Sequence, residues 1–252
     1  MKSALSLLAW LAASVAVSEI LGYLLHRLLH SGRIGFLSRS HMKHHLVLYG
    51  PLQSQRPGTA YQDATTGDVA IGNVGLEWLL PGALLLVASV TLLSMMQVPL
   101  LHQAVFVGGT LVWSFLMFSY LHDRMHMAGF WMERNRWLRK WFEAARDAHD
   151  IHHCALNDQG FMDKNFGIAF FFFDRVFGTL ASDPPAFNER GYASALSRFG
   201  DLLENSPGSN AADAECCSAV IERAITLRSA SLLVRRWRPQ PEPDPGSEGA
   251  GS

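Results

Sequence analysis

The chain has 252 residues, with 21 basic against 22 acidic side chains, and 49% of its residues are hydrophobic. Charge this close to neutral leaves no electrostatic footprint for nucleic acid, and the length admits one large domain or two small ones. Cys154, Cys216 and Cys217 form no C-x-x-C pair and no disulfide framework, which fits a reducing compartment.

The hydrophobic residues come in blocks, the pattern of a chain that meets a bilayer. Residues 4–25 are apolar apart from Glu19 and small hydroxyls, long enough to cross a hydrocarbon layer of about 30 Å. The same stretch has the lysine, apolar centre and small residues of a signal peptide. Because the apolar run continues straight into "HRLLH" (His26, His30), it reads as a retained span. "HMKHHLVLYGP" follows, with His41, His44 and His45. A second span covers about 76–97 and a third about 99–121, joined by the uncharged "SMMQVP" as a tight helical hairpin; "HDRMH" (His122, His126) closes the third. The basic residues Arg27, Arg33, Arg39 and Lys43 follow the first span, and Arg124, Arg134, Arg136, Arg139 and Lys140 follow the third. The positive-inside rule then puts the N-terminus outside, and every histidine cluster and the C-terminus in the cytoplasm.

Beyond the third span, "FWMERNRWLRKWFEAARDA" sets tryptophans among arginines and reads as a helix lying in the headgroup region. "HDIHH" (His149, His152, His153) repeats the H-x-x-H-H spacing of the earlier box. "FGIAFFFFDRVFGTL" is apolar but short for a span and is broken by Asp174 and Arg175, so it reads as a helix buried against the others or dipping into the interface. The expected division is a membrane-embedded domain at 1–182, a cytosolic segment at 183–237 with an amphipathic helix near 211–236, and a Pro/Gly/acid-rich disordered tail at 238–252. The expected fold class is therefore all-α: an integral-membrane helical bundle with a cytosolic cap that holds a histidine-rich dimetal site.

The histidines carry the chemistry. His26 and His30, and likewise His122 and His126, stand at i and i+4 on one helix face where an apolar span ends. In each H-x-x-H-H box the first two histidines are i, i+3 neighbours and the third points about 100° away, so one box can serve two ions. Ten imidazoles on four segments match the demand of two metals with roughly five nitrogens each. A lone H-x-x-x-H in a helix is usually incidental, but four paired boxes at span ends are not, and a histidine in or beside a span is costly without a partner. His102, twenty residues before His122 on the same helix, falls about 30 Å from the site and is excluded from it. Asp123, Asp150 and Asp174 are candidates to receive ring N–H groups from metal-bound histidines. For Asp123 and Asp150 the alternative is a solvated carboxylate or a pair with a nearby arginine, and Asp174, which interrupts an apolar helix, reads as functional or as fixed structure. Glu19 either lines a substrate cavity or is a carboxyl bonded to another helix, the latter being favoured. Cys154 and the aromatics Phe115, Phe118 and Tyr120 are given no role.

"HRLLHSGRIGFLSRSHMKHH", "HDRMH", "HDIHH" and "NFGIAFFFFDRVFGTL" together resemble the fatty acid hydroxylase superfamily, which includes sterol desaturases and carotenoid hydroxylases. The resemblance covers roughly residues 20–180. It implies a helical membrane bundle capped by a layer holding two metals, with His26, His30, His41, His44, His45, His122, His126, His149, His152 and His153 on the ligand positions. Asn165, Asp174 and Gly178 fall on its N-[FY]-G and D-x-x-F-G-T signatures. Three clear spans stand where four are common, which leaves 166–180 as the candidate for a fourth membrane helix.

Oxygenating an unactivated C–H bond needs a redox-active metal, so two iron ions are expected, with zinc able to occupy the imidazoles of purified protein. The chain has no haem, iron–sulfur or G-x-G-x-x-G motif, so electrons come from a separate ferredoxin- or cytochrome-type reductase system. The expected function is O₂-dependent hydroxylation of a membrane lipid, namely a fatty acyl chain, sterol or other isoprenoid. Desaturation on the same site is the nearest alternative. A histidine-rich metal transporter or store is the alternative from another class, and it would spread its ligands along a route through the bilayer.

Overall fold

A computed structural model describes residues 2–50, 70–71 and 74–204 of the chain. Helix α1 spans Lys2–Leu29, α2 Gly35–Lys43, α3 Leu76–Met95, α4 Leu100–Ser114, α5 His122–Met125, α6 Arg139–Cys154, α7 Phe172–Val176 and α8 Glu189–Glu204. Besides helices, the described residues hold one small antiparallel ladder, β1 (Ala70–Ile71) paired with β2 (Val74–Gly75). The all-α reading holds. The compact unit runs from Met1 to Ser206; a second unit, Pro207–Ser252, lies outside the described residues, as do the helix expected near 211–236 and the tail.

Among the described residues, three stretches are long and apolar enough to cross a membrane: Ala4–Leu29, Glu77–Met95 and Leu100–Met125. They match the three expected spans. Their flanks present Leu84, Val87, Leu92, Leu111 and Val112 outward, as the lipid side of a bundle must. Where helices meet, small residues replace large ones. Gly109 of α4 lies against Ser14 of α1 so closely that a methyl group there would displace the serine. Ser14 and Ser18 turn their hydroxyls onto the carbonyls of Leu11 and Ser14 in their own helix. Between α3 and α4, Gln97 takes a left-handed conformation (φ 55°), which lets the chain reverse within "SMMQVP".

Two π-helical segments interrupt the regular winding, at His44–Leu48 directly after α2 and at Phe115–Leu121 between α4 and α5. Such turns are rare and gather at functional sites, because one added residue rotates everything downstream by about 100°. Here one carries two box histidines and the other sets the angle at which the "HDRMH" box leaves its span.

Three expectations need correction. The single interfacial helix drawn over 130–148 is a 3₁₀ turn (Trp131–Arg134) followed by α6. The break arises because the Asn135 side chain accepts the amides of Trp137 and Leu138, an alternative to helical bonding. The 166–180 segment is not a fourth span, since only α7, five residues long, is helical there. Its polar groups instead bind a loop, as described below. Finally, α8 was not anticipated. Its Ala195 and Phe199 pack with Met42, Leu46, Leu156, Phe161 and Met162, and Arg39 of α2 pairs with its Asp201.

Candidate metal centre

Helix α1 and the α4–α5 element run in the same direction, so their C-terminal ends bring His26, His30, His122 and His126 to one end of the bundle. Helices α2 and α6 close over that end, carrying the two H-x-x-H-H boxes. The result is two groups of five imidazoles: His26, His30, His41, His45 and His152, and His44, His122, His126, His149 and His153. Within each group one nitrogen per ring lies within 4.8 Å of all the others. The groups adjoin, since the His45 and His153 rings are 4.1 Å apart.

The boxes divide in a way that the spacing argument did not anticipate. First and third histidines (His41 with His45, His149 with His153) go to the same group, while each middle histidine crosses to the other. At i, i+4 two residues are about 40° apart around a helix, closer than the 60° of i, i+3, so the outer pair shares a face and the middle residue points elsewhere.

The geometry fits metal ions. Nε2 atoms of His41 and His30 are 3.0 Å apart, those of His45 and His41 3.1 Å, and those of His149 with His126 and with His153 3.2 Å. Metal–nitrogen bonds of about 2.0–2.1 Å place adjacent ligands of an octahedral ion about 3.0 Å apart. The Nε2 atoms of His26, His44 and His152 are buried with no hydrogen-bond partner, the condition of a lone pair kept for a metal. Burial, reinforced by neighbouring imidazoles, holds His30, His41, His44, His45, His149 and His153 well below the ordinary histidine range, and burial pushes His152 down to about 4. All seven are therefore neutral near pH 7 and able to ligate.

Three of the rings are oriented by backbone carbonyls rather than by the expected carboxylates. His26 Nδ1 donates to Phe166 O (2.7 Å), His152 Nδ1 to Lys164 O (2.6 Å) and His153 Nδ1 to Tyr49 O (3.0 Å). Two of these carbonyls belong to one loop, 164–167, and the signature residues hold it. Asn165 adopts a left-handed conformation (φ 53°), donates to Ala148 O and Ala181 O, and accepts from Ala181 N–H. Asp174, fully buried, accepts the amides of Phe166 and Gly167 and the Thr179 hydroxyl, each at 2.7 Å; Tyr23 is bonded to that hydroxyl in turn. Asp174 and Asn165 thus reach the rings only through the loop. Asp123 Oδ1 lies 3.8 Å from His122 Nδ1. Asp150 meets the Tyr49 hydroxyl at 3.5 Å, and burial raises its carboxyl to about 6.

Glu19 accepts from Trp113 Nε1 at 2.7 Å, the bond to another helix that was favoured. His102 sits at the far end of the bundle, bonded to Ser6 and beside Trp10. Tyr49 and Trp78 were missed. Tyr49 packs at a tilt on His126 (4.0 Å) besides holding His153, and Trp78 packs on His26 (5.5 Å) and His41 (5.8 Å). Only the position of Tyr49, four residues after His45, could have pointed to it.

Three membrane spans and two buried five-imidazole clusters at one end of them define a membrane protein built around a candidate dimetal centre. A family model described as fatty acid hydroxylase matches residues 11–179. The chain belongs to the fatty acid hydroxylase family, whose members act on lipids as hydroxylase- and desaturase-type oxidoreductases, and the paired clusters agree with that family's di-iron character. No curated protein and no solved structure matches the chain.

Proposed function

We propose that the protein is a membrane-bound di-iron oxygenase that hydroxylates an unactivated C–H bond of a membrane lipid. The observation that carries this reading is the pair of adjoining five-nitrogen clusters set where the spans end. His26, His30, His41, His45 and His152 would hold one ion, and His44, His122, His126, His149 and His153 the other. Iron in both places would supply the O₂-dependent oxidation that zinc cannot perform. In the net reaction one oxygen atom enters the C–H bond, the other leaves as water, and two electrons come from a separate ferredoxin- or cytochrome-type donor.

The chain's own part is orientation and exclusion. The carbonyls of Lys164, Phe166 and Tyr49 hold the Nδ1–H groups of three rings, which would leave Nε2 to bind a metal. The apolar ends of α1, α3 and α4 keep water from the reacting carbon, and a lipid can enter sideways without leaving the bilayer. A transporter would distribute ligands across the membrane, whereas all ten histidines lie at one end of the bundle.

In cells making the protein under ¹⁸O₂, a lipid heavier by one labelled oxygen is the expected product. An unlabelled alkene would move the assignment to desaturation, and no O₂-dependent change in any lipid would overturn oxygenase function. In this reading residues 1–182 form the catalytic domain, with its histidine end cytoplasmic. A reporter placed after Leu180 should then behave as cytoplasmic and one placed within "SMMQVP" as external. The reverse pattern would refute the orientation.

A further inference from the structure

A cavity of about 410 Å³ opens between α1, α3 and α4, within the range of ligand sites and inside the spans. Along α3 its wall runs from Trp78 to Ser89, about 16 Å at helical rise, an elongated shape lying along the helices. An extended hydrocarbon chain can lie in it lengthwise. The lining is almost wholly aliphatic or aromatic. Of its few polar groups, the Ser18 and Ser89 hydroxyls donate to the carbonyls of Ser14 and Leu85, while the buried Thr110 hydroxyl has no hydrogen-bond partner among the described residues.

At the histidine end two aromatic rings stand between the cavity and the first cluster. Trp78 touches the rings of His26 and His41 on one side and Phe118 (5.6 Å) on the other. Phe118 fits there only because residue 22 is glycine: a methyl group at that position would fall inside the Phe118 ring. Trp78 is held from behind, since its neighbour Glu77 accepts from the Ser40 hydroxyl of α2 at 2.7 Å.

Resting on the oxygenase reading above, we infer that the substrate is an extended-chain lipid lying in this cavity. Trp78 and the Phe118 ring seated on Gly22 then form the throat that decides which carbon meets the metals. They are specificity residues, separate from the ligands. One enlarged or displaced ring changes how far the chain advances, and a methylene of displacement in an apolar pocket is worth 10-fold or more in discrimination.

Two measurements on the full-length protein test this. A fatty acid carrying a terminal diazirine, photolysed with the protein in detergent, should cross-link to α1, α3 and α4 residues of the cavity wall. Excess unlabelled fatty acid should compete and a sterol should not. Second, Trp78→Leu and Gly22→Ala should each change the ratio of positional isomers among labelled lipid products by about tenfold. Adding Phe118→Leu to Gly22→Ala, which makes room for the new methyl group, should bring the ratio back toward the original. Cross-links confined to the outer surface, or sterol competition, would overturn the proposal. So would oxygenated products whose isomer ratio ignores all three variants. Cavity cross-links that move in Trp78→Leu, in a protein that oxidises no lipid, would uphold the chain site while refuting the oxygenase reading.

Discussion

Alanine at His44 and alanine at His45 are expected to strip different metals from the protein, although the two residues are adjacent in the chain. His44 belongs to the group of His122, and His45 to the group of His30. Loss of a group that merely supports a ligand costs about 10–100-fold, so loss of a ligand should lower lipid oxidation by more than about 100-fold in either variant. Metal analysis of the purified variants gives the sharper result. His44→Ala combined with His122→Ala strikes one group and should release little more metal than either alone. His44→Ala combined with His45→Ala strikes both and should release nearly all of it. His102→Ala, bonded to Ser6 at the other end of the bundle, should alter neither activity nor metal. Equal metal loss in the two double variants would refute the crossed ligand sets, and a damaging His102→Ala would refute the placement of the third span.

The second large effect is expected at a residue that touches no histidine. Asp174→Ala removes the acceptor of two buried amides and one hydroxyl. Each orphaned group costs about 1–3 kcal/mol, and the sum approaches the whole stability of an ordinary domain, about 5–15 kcal/mol. The variant should fail to accumulate, or unfold at a much lower temperature in detergent. Asp174→Asn keeps one acceptor oxygen and offers an N–H where the other amide bond was. It should fold, yet bind metal about 10–100-fold more weakly, because the 164–167 loop would no longer present the Lys164 and Phe166 carbonyls to His152 and His26. Metal titration of Asp174→Asn decides the point, and wild-type affinity would show that the loop does not govern the site.

The carboxylate's role explains why it stands in an apolar stretch. Asp174 interrupts "FGIAFFFFDRVFGTL" where a membrane helix seemed to be missing, and the structure uses the interruption to end helical winding altogether. The left-handed Asn165 and Gly178 (φ 70°) bracket the turn that brings residue 174 back under the amides of 166 and 167. Signature residues that look like ligand partners in the sequence hold backbone instead.

Spans, span ends and the chemical type of the site were legible in the chain itself, because each depends on a local property. An apolar run of about twenty residues can only satisfy its backbone in lipid as a helix, and histidines spaced i, i+4 at the end of such a run must share a face. What spacing could not supply was the partner of each imidazole. Adjacent helical residues point about 100° apart, so His44 and His45 must face different ways, but which imidazoles each one meets depends on how α2 and α6 close over the ends of α1 and α5. Nor could it supply the carbonyls of Tyr49, Lys164 and Phe166, since every residue but its neighbours has the same backbone oxygen to offer. The throat of Trp78, Phe118 and Gly22 joins three helices far apart in sequence. Composition and periodicity therefore determined that this is a helical membrane protein with metal-type histidines. Long-range packing alone decided which imidazoles gather together, which backbone oxygens steady their rings, and where the helices leave a cavity.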